Sequence, residues 1–173
     1  MTKNYFDIIE ARHSIRAYKS RPVDQEKIQH ILEAANRAPS AGNLQAYEIY
    51  MASESKTRTA LAAAAYAQEF ISQAPFSLIF CAHPARSAIR YGDRGERLYS
   101  IQDATIACTF AMLAAEALDL STVWVGAFNE DQVRDIMGIP GTLRPIVILP
   151  VGYAGEEARK RSRRDIMDLV HNL

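Results

Sequence analysis

None of the 8 glycines forms a G-x-G-x-x-G, G-x-x-x-x-G-K or G-x-S-x-G motif. The usual signals for a dinucleotide fold, a P-loop or a nucleophile elbow are therefore missing. The four histidines, His13, His30, His83 and His171, stand singly, with no H-x-x-x-H or C-x-x-C pairing, so no bound metal is expected. The 2 cysteines, Cys81 and Cys108, lie in apolar stretches and read as buried thiols rather than as a disulfide framework. Charge of neither sign is in excess: 20 Lys and Arg face 20 Asp and Glu. That balance speaks against a nucleic-acid partner, which normally selects a basic surplus. No uncharged run reaches the roughly 20 residues of a membrane-spanning helix, and the longest, over residues 71–85, is broken by Pro75 and Pro84. Met1-Thr-Lys-Asn-Tyr-Phe-Asp carries no apolar signal-peptide core. Repeats, low-complexity tracts and linkers are also missing. One soluble domain over residues 1–173, cytoplasmic and free of membrane, is the expectation.

Hydrophobic residues make up 49% of the 173, enough for a full core. A short helix is expected over residues 5–12, burying Phe6, Ile9 and Ile8. A clearer one covers 24–37, with Asp24 as N-cap, Ile28, Ile31, Leu32 and Ala35 at helical spacing, and Pro39 as stop. Residues 47–52 read as a strand, followed by an alanine-rich helix from 54 to 67. Residues 76–82 (FSLIFCA) form a continuous apolar run of strand length, as in a strand buried on both faces. Residues 122–125 and 145–151 add two strands, with a helix over 129–137 between them and a last helix over 163–170. The class is α+β or α/β with one central sheet. Residues 98–118 form a long helix whose apolar residues cover nearly every direction. Either it runs through the middle of the domain or a second subunit covers its outer side. Under the second reading, a glutamate at Ala111 should break the subunit contact.

Three segments carry chemistry. In Arg12-His-Ser-Ile-Arg16 the alternation places Arg12, Ser14 and Arg16 on one side of an extended chain. The two arginines would stand roughly 13 Å apart, which suits a ligand with an anion at one end and an electron-rich ring at the other. On this segment alone a solvated edge strand is the plainer reading. Residues 38–47 are ten in a row without charge, in which Gly42 permits a tight turn. Ser40, Asn43 and Gln45 offer groups that both donate and accept, as the edge of a flat heterocycle requires; Ser and Asn also cap turns. Residues 159–164 hold five cations in six positions. Most of these read as solvated, and one or two beside Arg12 would clamp a phosphate through forked hydrogen bonds.

Arg12-His-Ser-Ile-Arg16, Ala38-Pro-Ser-Ala-Gly-Asn-Leu-Gln45, Trp124-Val-Gly-Ala-Phe128, Leu149-Pro-Val-Gly-Tyr153 and the terminal Arg161-Ser-Arg-Arg164 together resemble the FMN-dependent nitroreductase family, in the family's order and over nearly the whole chain. The resemblance implies an α+β nitroreductase-like fold: a central, mostly antiparallel sheet flanked by helices, in an intertwined homodimer with two FMN sites at the subunit interface. It implies that Arg12, His13, Ser14 and Arg16 meet the flavin's phosphate, ribityl chain and pyrimidine edge. Pro39, Ser40, Ala41, Asn43 and Gln45 approach from the other subunit, Gly126 and Ala127 offer backbone groups near the reactive N5, and Arg161 and Arg163 meet the phosphate. FMN then carries the chemistry, and no side chain acts as an obligatory catalytic acid or base. NAD(P)H is the transient donor, and a small organic acceptor such as a nitroaromatic or quinone takes the electrons in turn. A flavin carrier or sensor without efficient turnover, or a relative catalysing another flavin-dependent oxidation or dehalogenation, is the alternative. The chain departs from the family's pattern at His13, where a second arginine is commoner, and at Ala46, where proline is usual. It departs also at Gly126, where larger members have glutamate, and at Asp119, where glycine is usual.

Overall fold

A computed structural model describes residues 4–159 and 161–171; Lys160, one of the five clustered cations, and the opening Met1-Thr-Lys3 lie outside them. Helices α1 (Tyr5–Ala11) and α2 (Gln25–Asn36) precede strand β1 (Tyr47–Ala52). Helices α3 (Ser55–Ala64) and α4 (Phe70–Gln73) lead to β2 (Phe76–Ala82). Helix α5 (Pro84–Arg94) joins α6 (Ser100–Ala117) through a wide turn at Gly95–Tyr99, and β3 (Ser121–Thr122), α7 (Glu130–Met137) and β4 (Arg144–Gly152) follow. The four strands pair antiparallel in the order β1-β2-β4-β3.

Every residue of β2 is buried because both faces of the sheet are covered. Phe76, Leu78, Phe80 and Ala82 point to α2 and α6, meeting Ile28, Ile31, Ala104, Ala107, Cys108 and Ala111. Ile79 and Cys81 point the other way, to Leu61, Ala62, Ile71 and Val133. The period of two puts alternate residues in different cores, which is why the run carries no polar alternation. The small side chains Ala104, Ala107, Ala111 and Ala115 let α6 lie close on the sheet. Burial pushes the Cys81 thiol up to about 12 and the Cys108 thiol well above its ordinary value, so neither is a thiolate near neutral pH.

Three expectations are corrected. Ala111 is 0% exposed and faces the sheet, whereas Phe110 beside it is 38% exposed. The outward side of α6 therefore runs through Gln102, Ile106, Thr109, Phe110 and Leu113. Helix α1 buries nothing: Phe6 is 77% and Ile9 45% exposed, because no element among the described residues covers that side. The segment 163–170 forms only a single turn at Ile166–Asp168, since a short helix with no packed face lacks tertiary support. Helix α5 was not foreseen; its signal is Pro84 at the first helical position, capped by the His83 ring accepting from the Arg86 N–H at 3.2 Å.

At the end of α6 the Leu120 N–H donates to the Ala115 carbonyl at 2.9 Å, and Asp119 is left-handed at φ +59°. This is the closing geometry in which glycine is favoured. Asp119→Gly should therefore stabilise the fold by about 0.5–1 kcal/mol. Thermal unfolding at fixed protein concentration checks this, and a lowered midpoint would contradict it.

Candidate active site

The chain after α1 runs extended along the sheet edge. The Ile15 N–H donates to the Thr122 carbonyl at 3.1 Å, and the Lys19 N–H to the Tyr153 carbonyl at 2.9 Å. Ile15 is buried, and its polar neighbours turn outward. Arg12, His13, Ser14 and Arg16 line a cavity of about 440 Å³, joined by Glu156, Glu157, Arg159, Arg161 and Arg163. Both ends of the chain thus converge on one concave surface. Five guanidiniums against two carboxylates leave a surplus of three positive charges there. Among the described residues none of the five arginines is neutralised by an ion pair. Glu156 is fixed, its Oε1 accepting from the Arg16 N–H at 2.5 Å. The cavity can hold a multiply charged anion with forked donors.

The uncharged segment is shaped by a residue that sequence reading missed. Asp103 on α6 is 2% exposed; its Oδ1 accepts from the Ala41 N–H at 2.9 Å and its Oδ2 from the Ala46 N–H at 3.2 Å. Between those anchors Gly42, Asn43 and Gln45 all adopt left-handed conformations, at φ +57°, +56° and +50°. Such conformations persist only where surrounding contacts enforce them. Ser40 Oγ accepts from the Gln45 N–H at 3.0 Å, and the Gln45 amide reaches back to Asn43 Oδ1 at 3.3 Å. Pro39, Ser40 and Ala41 line a second cavity of about 520 Å³ with Tyr99, Ile101, Gln102, Asp103, Thr105 and Ile106, along the outward side of α6. The two cavities share no lining residue. Gln45 lines a third, of about 240 Å³, with Glu48 and Arg86.

Residues 9–153 match the model of the nitroreductase family. The chain belongs to the nitroreductase family. A protein of Thermus thermophilus named NADH dehydrogenase is 30% identical, over 92% of this chain and 91% of its own length. An FMN reductase [NAD(P)H] of Bacillus subtilis is 31% identical, over 87% of this chain and 66% of its own. The structure of the NADPH:FMN oxidoreductase of Vibrio harveyi complexed with NAD+ superposes with a TM-score of 0.90 at 26% identity, covering 98% of this chain and 77% of that one. The four-stranded antiparallel sheet flanked by helices is the nitroreductase fold.

In this nitroreductase Gly126 and Ala127 are exposed in the stretch after β3, and Val125 pairs with Ile148 of β4. Gln68 Nε2 donates to the Ala127 carbonyl at 3.0 Å, fixing that backbone. Neither residue lines a cavity with Arg12–Arg16 or with Pro39–Ala41. Glu156 and Glu157 had a sequence signal, as the two acids directly ahead of a basic run. Asp103 had another, as one of only two charges between residues 100 and 117.

Proposed function

We propose that two copies of this chain form a symmetric homodimer holding FMN at two equivalent sites. Electrons pass from NAD(P)H to a small organic acceptor, a quinone or nitroaromatic, donor and acceptor using each site in turn. One observation carries the reading: Arg12–Arg16 and Pro39–Ala41, both implicated by the family motif, line separate cavities within one chain. A second copy lets the Pro39–Gln45 segment of one chain complete the arginine cavity of the other. The uncovered apolar residues support this, since Phe110 on α6 and Tyr5, Phe6 and Ile9 on α1 need a partner surface.

The arginine surplus around the first cavity fits a phosphate dianion. Arg12, Arg161 and Arg163 would hold the phosphate through guanidinium donors, with Ser14 beside the ribityl chain. Ser40, Asn43 and Gln45 would offer amide and hydroxyl groups to the ring, and Gly126 and Ala127 backbone groups near N5. When bound, FMN supplies the two-electron chemistry, so no side chain need act as acid or base. Arg16, exposed and tethered through its own N–H by Glu156, would place its charge at the pyrimidine edge, where negative charge grows on reduction.

Arg16→Ala should weaken FMN binding by about 1.5–3 kcal/mol and lower the flavin's midpoint potential. Equilibrium titration and spectroelectrochemistry measure the two, and an unchanged potential at full occupancy would reduce Arg16 to a surface charge. The function itself is tested anaerobically. The purified protein should be yellow, bleach with NADH or NADPH, and recolour with a quinone or nitroaromatic. A colourless preparation that takes up no FMN would refute the reading, and a yellow one that neither donor bleaches would mark a carrier.

A further inference from the structure

Arg86 and Arg90 stand one helical turn apart on α5, and Arg94 and, just beyond the helix, Arg97 follow a break in it at Gly92 (φ +51°, ψ −142°). Two of these are neutralised: Arg86 pairs with Glu48 at 3.9 Å and Arg97 with Asp93 at 3.8 Å. Arg90 and Arg94 have no carboxylate partner among the described residues. Each lies instead near an aromatic face, Arg90 at 5.5 Å from the Tyr91 ring centre and Arg94 at 5.4 Å from that of Tyr99. Arg94 Nε also donates to Tyr99 Oη at 2.9 Å, and the two tyrosines meet edge to face at 5.1 Å.

This cluster lies against the Pro39–Gln45 segment. A Cβ at Gly42 would stand 2.6 Å from Tyr91 Oη and 2.9 Å from Arg90 Nη1, so the absent side chain lets the cluster close on the loop. Tyr99 lines the second cavity beside Ser40 and Ala41. Two unpaired guanidiniums and two tyrosine rings thus stand at the rim of the cavity that the proposed site would use.

We infer that Arg90, supported by Arg94, determines donor specificity by receiving the adenosine 2′-phosphate of NADPH at this rim. The inference rests on the flavin-dependent function proposed above. A phosphomonoester dianion is met by forked guanidinium donors, and a flat base stacks on an arginine or tyrosine face. NADH lacks the dianion and gains nothing from the two charges. The pairing of Arg86 and Arg97 leaves the positive potential concentrated at Arg90 and Arg94, next to the loop.

The test uses the FMN-loaded protein, with menadione as a neutral acceptor and NADPH or NADH varied. The wild type should favour NADPH in kcat/KM by about tenfold or more, and Arg90→Ala should raise the KM for NADPH about tenfold. The KM for NADH, kcat and flavin content should stay unchanged, and Arg90→Lys should keep part of the preference. Calorimetry gives a readout independent of turnover: Arg90→Ala should weaken adenosine 2′,5′-bisphosphate and leave AMP unaffected. Equal losses with both donors, a wild type indifferent to the phosphate, or an effect confined to acidic acceptors such as nitrobenzoate would each overturn the inference. A protein that takes up no FMN fails the proposed function instead; a flavin-loaded enzyme that treats both donors alike fails only this inference.

Discussion

Phe110→Glu should produce a monomer that no longer retains FMN. Phe110 is 38% exposed on the outward side of α6, level with Ile106 and Leu113, while Ala107 and Ala111 of the same helix are sealed against the sheet. A carboxylate at Phe110 therefore leaves the subunit core untouched and places a charge in the proposed contact. Desolvating an unpaired carboxylate costs several kcal/mol, a large share of what holds two subunits together at micromolar concentration. Because Pro39–Ala41 and the outward side of α6 line the same cavity, loss of the contact removes half of the flavin site. Light scattering should report half the mass, and absorbance no bound flavin. Circular dichroism should stay that of the wild type. A dimeric, yellow Phe110→Glu protein would mean that α6 faces solvent.

Asp103→Ala should have the second largest effect, on stability and cofactor binding together. Its carboxylate alone satisfies the Ala41 and Ala46 N–H groups, one at each end of a loop with three left-handed residues. Leaving both donors without this partner, the Ala46 N–H in a buried residue and the Ala41 N–H in a partly buried one, costs about 2–4 kcal/mol, which lowers the melting temperature by roughly 5–15 °C for a chain of this length. Asp103→Asn keeps the shape and one acceptor, so it should fall between the two. FMN affinity should follow the same order, because the loop that presents Ser40, Asn43 and Gln45 loses its anchor. A melting temperature within 2 °C of wild type, with full flavin occupancy, would contradict the anchoring role.

Much of the fold was legible because periodicity reports burial directly. FSLIFCA has no alternation because Leu78 and Ile79 enter different cores, and the structure shows that run as β2 over Phe76–Ala82. The site was legible as chemistry rather than as geometry. Arg12, Ser14 and Arg16 on alternate positions, with Ile15 turned inward, follow from the pleat, and the structure brings Arg161 and Arg163 to the same cavity. Asp103 stood out only as a charge in an apolar helix; its role escaped because its partners are backbone N–H groups 57 and 62 residues away. Helix α1 misled for the opposite reason. Its Phe6 and Ile9 are apolar at helical spacing, yet nothing among the described residues covers them, and periodicity cannot say which molecule supplies the cover.

The claim on which the rest depends is that the flavin site needs two chains. Light scattering with simultaneous absorbance on one size-exclusion column tests it directly on the FMN-loaded protein. The account predicts one species with the mass of a dimer, carrying two FMN, and loss of flavin in step with dissociation on dilution. A stable monomer holding one FMN per chain would contradict it.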